Sequence, residues 1–570
     1  MTAQRRDAGT AIWPLRPWLM AGVCAVAGLL LWWLGQAVTP ATQGSWNLPA
    51  MTFVAIAAVS FVITVERTRW SWSIAFAAEW GAVIAFVGWF TVRYNLNPTI
   101  FEWPFLSSVF AVLIAAPLFQ TVRDEGAWRF PYDRLHSHAW ADAVIGVAAL
   151  VFVGIAFLLT WLISGLFKLI GIRLVSELLN SPAFDWALAG FAFGGAIGLL
   201  RERDALVATL QRLVMVVMSV LAPVLAGALL LFLASLPFTG LGILWSSSLS
   251  TTPLMLTSAA GAVLLANAVI GNGRDDRATN RVLWWSAMAL AMAVLPLAII
   301  AALSMGARIG QYGWTPERIW GAVAVGVALA YGVAGWGAAI RGRGAFDEML
   351  RPLQTRLALA VCGLAVLLAL PLIDFGAIST RSQMARLASG RITAEKFDWR
   401  AIAFAFGPAG RARLADIART GPTEQRKLAA MALAAKDRYA PEFDVERTRS
   451  VSAANGLLRV VPVGRALPPA LKAAITGSPF CRGTPCVVTW IDERRVVIAG
   501  GGGPGMSIMS GHYQLDATGA WNEDYDLQRA NVRPSEPAPI PDMATVPVEL
   551  RTVERKQLFV DGKPVGDAFP

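Results

Sequence analysis

A bundle of transmembrane helices followed by an extracytoplasmic α+β domain is the fold class this sequence predicts, and three observations predict it. Of 570 residues, 56% are apolar and 15% charged, against about 25% charged in an ordinary soluble chain, and the mean hydropathy is +0.53. Charge is unevenly placed: residues 1–376 carry 41 charged side chains, while the shorter stretch 377–570 carries 46. Eleven apolar stretches in the first part each approach the roughly 20 residues a helix needs to cross a bilayer core. This composition leaves too little polar surface for a soluble globule and excludes a disordered chain.

The stretches run over about 17–38, 48–65, 71–92, 104–122, 143–169, 183–200, 213–234, 253–270, 282–304, 319–340 and 357–376. Hydrocarbon offers no water to backbone N–H and C=O groups, so these are helices rather than strands. They make 17–376 the membrane domain behind a short arm, 1–16. Basic residues set the orientation. With the arm in the cytoplasm, 18 of the 23 Lys/Arg in the membrane part fall on that side, from Arg5, Arg6 and Arg16 to Arg341, Arg343, Arg351 and Arg356. Only Arg93, Lys168, Arg173, Arg308 and Arg318 fall on the other. An odd number of crossings then puts 377–570 outside the cytoplasm, in the periplasm of a bacterial envelope. The first stretch is longer than a signal-peptide core and lacks a small-x-small cleavage site after Trp32-Trp33, so it is read as a retained helix. Trp18, Trp70, Trp103, Trp140, Trp245 and Trp320 stand at stretch ends, as an interfacial aromatic belt requires.

Within the bundle, Gly190, Gly194 and Gly198 make two consecutive G-x-x-x-G steps, which clear one helix face for close approach of a neighbour. Ala322, Gly326, Ala330 and Ala334 repeat the pattern more weakly. In the outer part, 378–440 reads as helices and 455–570 as β-rich. Val487–Ile491 and Val496–Ile498 flank the polar turn Asp492–Arg495 as a hairpin. Leu558–Val560 runs into the tight-turn dipeptide Asp561-Gly562. Residues 533–547 hold five prolines and read as an extended connector. An antiparallel sheet is therefore expected last. Cys481 and Cys486, spaced C-x4-C, are expected to form a disulfide in an oxidising compartment, worth roughly 2 kcal/mol by loop closure.

Residues that could carry chemistry are few. Glu79 lies about 12 Å along a helix from the cytoplasmic end of the third stretch. An ionisable group at that depth is costly unless paired, protonated or hydrated. It is either a proton or cation site or a buried structural carboxyl, expected to point into the bundle with Asn267 as its partner. Asp374 is a third intramembrane polar candidate, close enough to the outer end to be simply interfacial. His136, His138 and Asp142 form H-x-H-x-x-x-D, a spacing that could share a metal on a helix or could be a solvated segment. The glycine run 500–505 lacks the Lys-Ser/Thr and helix of a phosphate loop. His512 is the sole histidine of the outer domain. No hydrolase, kinase or zinc-protease signature is present, and no cofactor is implied. The net charge of +11 is spread without a dense basic run, so nucleic acid is not the expected partner. The lipid bilayer is, together with a periplasmic protein or other envelope partner. The sequence sets no oligomeric state.

Four strings, Pro131–Trp140, Leu166–Ile172, Leu236–Leu241 and Gln311–Ile319, together resemble the bacterial membrane proteins grouped as the domain-of-unknown-function 4153 (DUF4153) family, from about residue 100 to the end of the spans. The resemblance implies a bacterial inner-membrane protein with a periplasmic domain, and no catalytic residues. Two function classes follow: a transporter or transport-associated permease, and an envelope scaffold or sensor whose periplasmic domain binds a partner. A membrane-embedded enzyme lacks a constellation.

Overall fold

The computed structural model describes residues 13–36, 46–67, 69–93, 98–240, 242, 250–273, 280–435, 458–462, 464–476, 486–501, 508–516, 519, 521–523, 556–560 and 563–569. The helices of the first part are α1 (Arg16–Gln36), α2 (Asn47–Thr64), α3 (Trp70–Arg93), α4 (Pro98–Glu125), α5 (Tyr132–Leu169), the short α6 (Leu174–Leu179) and α7 (Pro182–Arg201). They continue with α8 (Asp204–Thr239), α9 (Thr251–Ile270), α10 (Arg281–Tyr312), α11 (Pro316–Gly342) and α12 (Phe346–Ala369). Ten helical segments among the described residues are long and apolar enough to cross a membrane, and the last, Pro316–Ala369, contains both α11 and α12 around a 3-10 turn at 343–345.

Several boundaries differ from the sequence expectation for a physical reason. The fifth apolar stretch begins at 143, but α5 begins at Tyr132 and runs for 38 residues. That is about 57 Å at 1.5 Å per residue, well beyond a hydrocarbon core of roughly 30 Å. Its polar first turns are helical because other helices supply partners for them. Two helix starts of the bundle follow capping chemistry: Asn280 accepts from Val282 N at 2.8 Å, and Thr315 accepts from Arg318 N at 3.4 Å, with Pro316 at the first helical position.

Among the bundle helices α1–α12, the closest glycine-to-backbone approaches fall in two helix pairs. A Cβ on Gly190 would lie 2.1 Å from Cys24 O, on Gly194 2.2 Å from Met20 O, and on Gly198 2.5 Å from Pro17 Cα. Gly28 of α1 answers from the other side, 2.2 Å from Trp186 O. Helices α1 and α7 thus run backbone against backbone, over a core of Met20, Cys24, Val62, Ile145, Ala196 and Ile197. In α11 the expected row is not the contact face. Gly326 has nothing within 4 Å, whereas Gly332 and Gly335 meet Leu295 Cα and Ala291 O of α10 at 2.6 and 2.4 Å. The buried stripe of α11 follows a neighbour that crosses it there, which a small-residue pattern alone does not specify. Leu290, Leu297, Ala301 and Phe346 are fully buried in this second core.

After the bundle come α13 (Phe375–Ala388), α14 (Trp399–Phe404), α15 (Gly407–Thr420) and α16 (Thr423–Ala434). Two compact units divide the chain: Met1–Thr393 with Ala401–Asp416, and Ala394–Arg400 with Ile417–Pro570. The second holds a five-stranded sheet in the order β1 (Leu458–Val461), β2 (Cys486–Trp490), β3 (Arg495–Gly501), β4 (Ile508–Leu515), β5 (Trp521–Glu523). The expected hairpin is the β2–β3 pair, with Thr489 opposite Val497. The sheet is not wholly antiparallel, because β1 pairs with β2 in parallel. A parallel neighbour requires a crossover, and α17 (Pro469–Thr476) lies in it, burying Leu471 and Ile475 against Val488, Ile498 and Tyr513. Strands β6 (Lys556–Val560) and β7 (Lys563–Phe569) form a separate antiparallel pair. Cys481, residues 502–505 of the glycine run and the proline-rich 533–547 lie outside the described residues.

Candidate functional site

The densest set of paired charges in the bundle sits at its arginine-rich end. Because α1 and α7 pack backbone to backbone in opposite directions, the first residue of α1, Arg16, and the last of α7, Arg201, come together. Both guanidinium groups reach Glu66 in the α2–α3 connection: Arg16 Nη2 donates to Glu66 Oε1 at 3.0 Å and Arg201 Nη2 donates to the same oxygen at 2.8 Å. Arg16 also donates to Val65 O at 2.8 Å, pairs with Glu202 Oε1 at 3.8 Å, and lies 5.9 Å from the Trp13 ring centroid. A cation at a helix N-terminus is unfavourable against the helix dipole, and Glu66 and Glu202 compensate it. Partial burial opposes ionisation of Glu66, but the surrounding Arg201, Arg16 and Arg123 outweigh it and hold its carboxyl below the ordinary glutamate range.

Two further groups lie along the same end. Arg123 of α4 donates to Thr64 O and pairs with Asp124, whose other oxygen is 3.1 Å from His138 Nε2. In the second, Arg351 of α12 pairs with Asp347 at 2.9 Å and donates to Ile270 O and Gly273 O at the carbonyl end of α9, where a cation is favoured.

The residues singled out by sequence go to different places. Glu79 does not point into the bundle. It stands on an exposed face of α3, and neither a hydrogen bond nor an ion pair joins it to another described residue. Asn267 instead accepts from Gln354 Nε2 at 2.6 Å. The expected Glu79–Asn267 pair is therefore corrected: α3 buries Phe76, Ala77 and Ile84, and Glu79 falls on the opposite stripe. Asp374 is the N-cap of α13, accepting from Ala377 N at 2.8 Å. His136, His138 and Asp142 diverge as well. His136 bonds Asn272 and accepts from Trp140 Nε1 at 3.0 Å, His138 faces Asp124, and Asp142 accepts from Gln120 Nε2 at 2.7 Å. Among the described residues no group of three or more His, Cys, Asp or Glu could hold a metal ion. Cys486 opens β2 fully buried, and its expected partner Cys481 is outside the described residues.

At the other end, Arg318, Gln383 and Arg386 gather around the α10–α11 turn. Gln383 donates to Tyr312 O and Trp314 O at 2.9 Å each, Arg386 to Gln311 O at 2.7 Å, and Arg318 to Gly313 O at 2.7 Å. Gly313 has φ +76°, and a Cβ there would meet Arg386 Cδ at 2.6 Å, so the turn requires glycine twice over. These polar groups fasten α13 to backbone carbonyls rather than facing a reactant. In the second unit, the β2–β3 hairpin and the end of β4 line a shallow cleft of about 540 Å³ bearing Asp492, Glu493, Arg494, Arg495, Gln514 and Asp516. The Arg494 amide and the Arg495 guanidinium bond the Asp492 carboxylate and hold it below the usual range.

The sequence reading missed Glu66, Arg201 and Arg351 as site residues because it used arginines only as markers of side. The available signal was Glu66 itself, the one acidic residue in a connection otherwise marked by Arg67 and Arg69. No family model, curated protein or solved structure matches the chain.

Proposed function

We propose that this is a multi-pass protein of the bacterial inner membrane whose C-terminal unit lies in the periplasm and binds an envelope partner, with the bundle as anchor and relay. Counting α11 and α12 as separate crossings gives eleven, and the excess of Lys/Arg at one end supports an N-terminus in the cytoplasm. The four strings quoted above support membership of the domain-of-unknown-function family they resemble. The observation that carries the choice between scaffold or sensor and transporter is the position of Glu79. A transport site needs an intramembrane polar group facing a path through the bundle; Glu79, the carboxyl on which the transport reading rested, is on an exposed face of α3. The cleft on the β2–β3 hairpin, with charges of both signs, has the character of a polar binding surface instead.

The test is complementation of a deletion strain scored by metabolite and envelope-lipid profiles. Reversing the hairpin charges with Asp492→Lys and Arg495→Glu should abolish complementation, while Glu79→Gln should complement fully. Loss with Glu79→Gln at normal expression, together with a silent hairpin variant, would return the function to transport. Phosphatase and fluorescent-protein fusions after residue 380 check the orientation; a fluorescent, phosphatase-negative fusion overturns it. Non-reduced peptide mass spectrometry should show Cys481 joined to Cys486 in protein from the same compartment, and two alkylated thiols would reject the link.

A further inference from the structure

The end of α5 away from the arginine-rich node carries a cleft of about 730 Å³ between α5, α6 and α7. Its lower wall is apolar and lies along α5: Phe157, Leu158 and Trp161. Its upper wall is polar: Ser164, Lys168, Asn180 and Asp185. From Phe157 to Lys168 the wall extends about 16 Å along the helix axis. This is the dimension of a headgroup with the first part of an acyl chain, not of a small solute.

Ser176 of α6, also at this cleft, is satisfied by Arg173 O at 2.7 Å, but the four groups of the upper wall are unengaged. Among the described residues no hydrogen bond or ion pair is made by the side chains of Ser164, Lys168, Asn180 or Asp185. Ser164 is the most telling, being only 4% exposed. A helical serine in an apolar setting ordinarily bonds the carbonyl one turn back, as Thr160 does to Ala156 O at 2.8 Å just before it. Ser164 instead offers its hydroxyl to the cleft. Lys168 supplies one cation and Asp185 one carboxylate at the same rim, so the complementary ligand carries one charge of each sign next to an apolar tail.

We infer that this cleft binds one phospholipid with a zwitterionic phosphoethanolamine headgroup, its phosphate at Lys168 and Ser164, its ammonium at Asp185 and Asn180, and an acyl chain along Phe157, Leu158 and Trp161. A singly anionic headgroup would leave Asp185 facing like charge. A free phosphate would leave the apolar wall unused. The inference is independent of which partner the C-terminal unit binds.

The test uses the full chain in nanodiscs of equal phosphatidylethanolamine and phosphatidylglycerol, with retained lipid read by native mass spectrometry after detergent release. One phosphatidylethanolamine should be retained. Lys168→Ala and Asp185→Ala should each lower retention about tenfold, as loss of one charge-assisted contact predicts, whereas Leu231→Ala on the exposed face of α8 should change nothing. Equal retention of phosphatidylglycerol overturns the headgroup assignment. Displacement by millimolar inorganic phosphate or glycerophosphoethanolamine overturns the lipid assignment. A measurement that needs no variant is photo-crosslinking of wild-type protein with a phosphatidylethanolamine carrying a diazirine in its acyl chain. Adducts confined to Phe157–Lys168 support the site, and adducts spread evenly over α5 and α8 reject it.

Discussion

Glu66 and Glu79 are the same residue type at either side of the first turns of α3, and their surroundings are opposite. Glu66 sits in a connection, yet two arginines from two other helices converge on one of its oxygens. Glu79 sits within the apolar run of a helix long enough to cross a membrane, yet it is exposed and has no partner among the described residues. Depth along the sequence therefore does not decide whether a carboxylate is built into the structure. Supply of partners does. At the ends of the bundle, helix termini bring together arginines and backbone carbonyls; in the middle of α3 the outer stripe offers only apolar neighbours. A charge survives burial where its cost is met by specific bonds.

The comparison makes its largest prediction at the node. Glu66→Leu leaves Arg16 and Arg201 buried without their shared carboxylate. Breaking a buried ion pair from one side costs about 3–5 kcal/mol, and because Glu66 is itself about one-third exposed the lower end applies, about 3 kcal/mol. Thermal unfolding in detergent should show a clear drop in midpoint, with Glu66→Gln intermediate because the amide oxygen still accepts. An unchanged midpoint for Glu66→Leu would mean that the backbone carbonyls and Glu202 hold the two arginines without it.

Next in size is a glycine comparison. Gly194→Leu places side-chain atoms where Met20 O already lies, so α1 and α7 must separate; overpacking of this kind costs about 1–3 kcal/mol. Gly326→Leu, into open space, should stay within about 0.5 kcal/mol of wild type. Equal losses at both sites would deny that the α1–α7 approach is special.

Much of this was legible in the residues. Apolar stretches of sufficient length located the helices long and apolar enough to cross a membrane, because hydrocarbon would leave such a backbone no alternative. The double G-x-x-x-G marked a face cleared for close packing, and the hairpin around Asp492–Arg495 followed from alternation and turn chemistry. What escaped shares one cause: it depends on which elements become neighbours. The Arg16–Glu66–Arg201 node joins residues from three distant parts of the chain. The weaker small-residue row of α11 named Gly326 when the crossing helix selects Gly332 and Gly335. The parallel β1–β2 pair hid because its crossover helix, α17, is only 8 residues long. His136, His138 and Asp142 have ligand spacing in sequence, and each found its own partner: Asn272 after α9 for His136, and Asp124 and Gln120 of α4 for His138 and Asp142.

A smaller effect concerns pH. The carboxyl of Glu66 is held below its ordinary range in the folded protein, so the unfolded chain binds the proton more readily. Its contribution is then fully present above the ordinary glutamate value, about 4.3, and is lost as pH falls from there through the lowered folded value. Acidification below about 4 should lower the unfolding midpoint of wild type more steeply than that of Glu66→Gln. Parallel curves would show that the two arginines do not favour the ionised form.

The smallest effect is expected at Glu79. A carboxyl in contact with lipid is costly, but α3 remains an inserted helix when its packing against other helices is lost, so the cost falls on both the folded and the unfolded-in-membrane states and cancels between them. Glu79→Gln and Glu79→Leu should therefore unfold within about 0.5 kcal/mol of wild type. Insertion efficiency should behave differently, because it compares membrane with water, and there Glu79→Leu should gain. Measuring both quantities separates a residue that is merely tolerated from one that is used. A loss above about 1 kcal/mol for Glu79→Leu, with Glu79→Gln unchanged, would reveal a hydrogen-bonding partner for this face supplied by another chain within the membrane. Glu79 would then be a second instance of what Glu66 shows, with its partner on a different molecule.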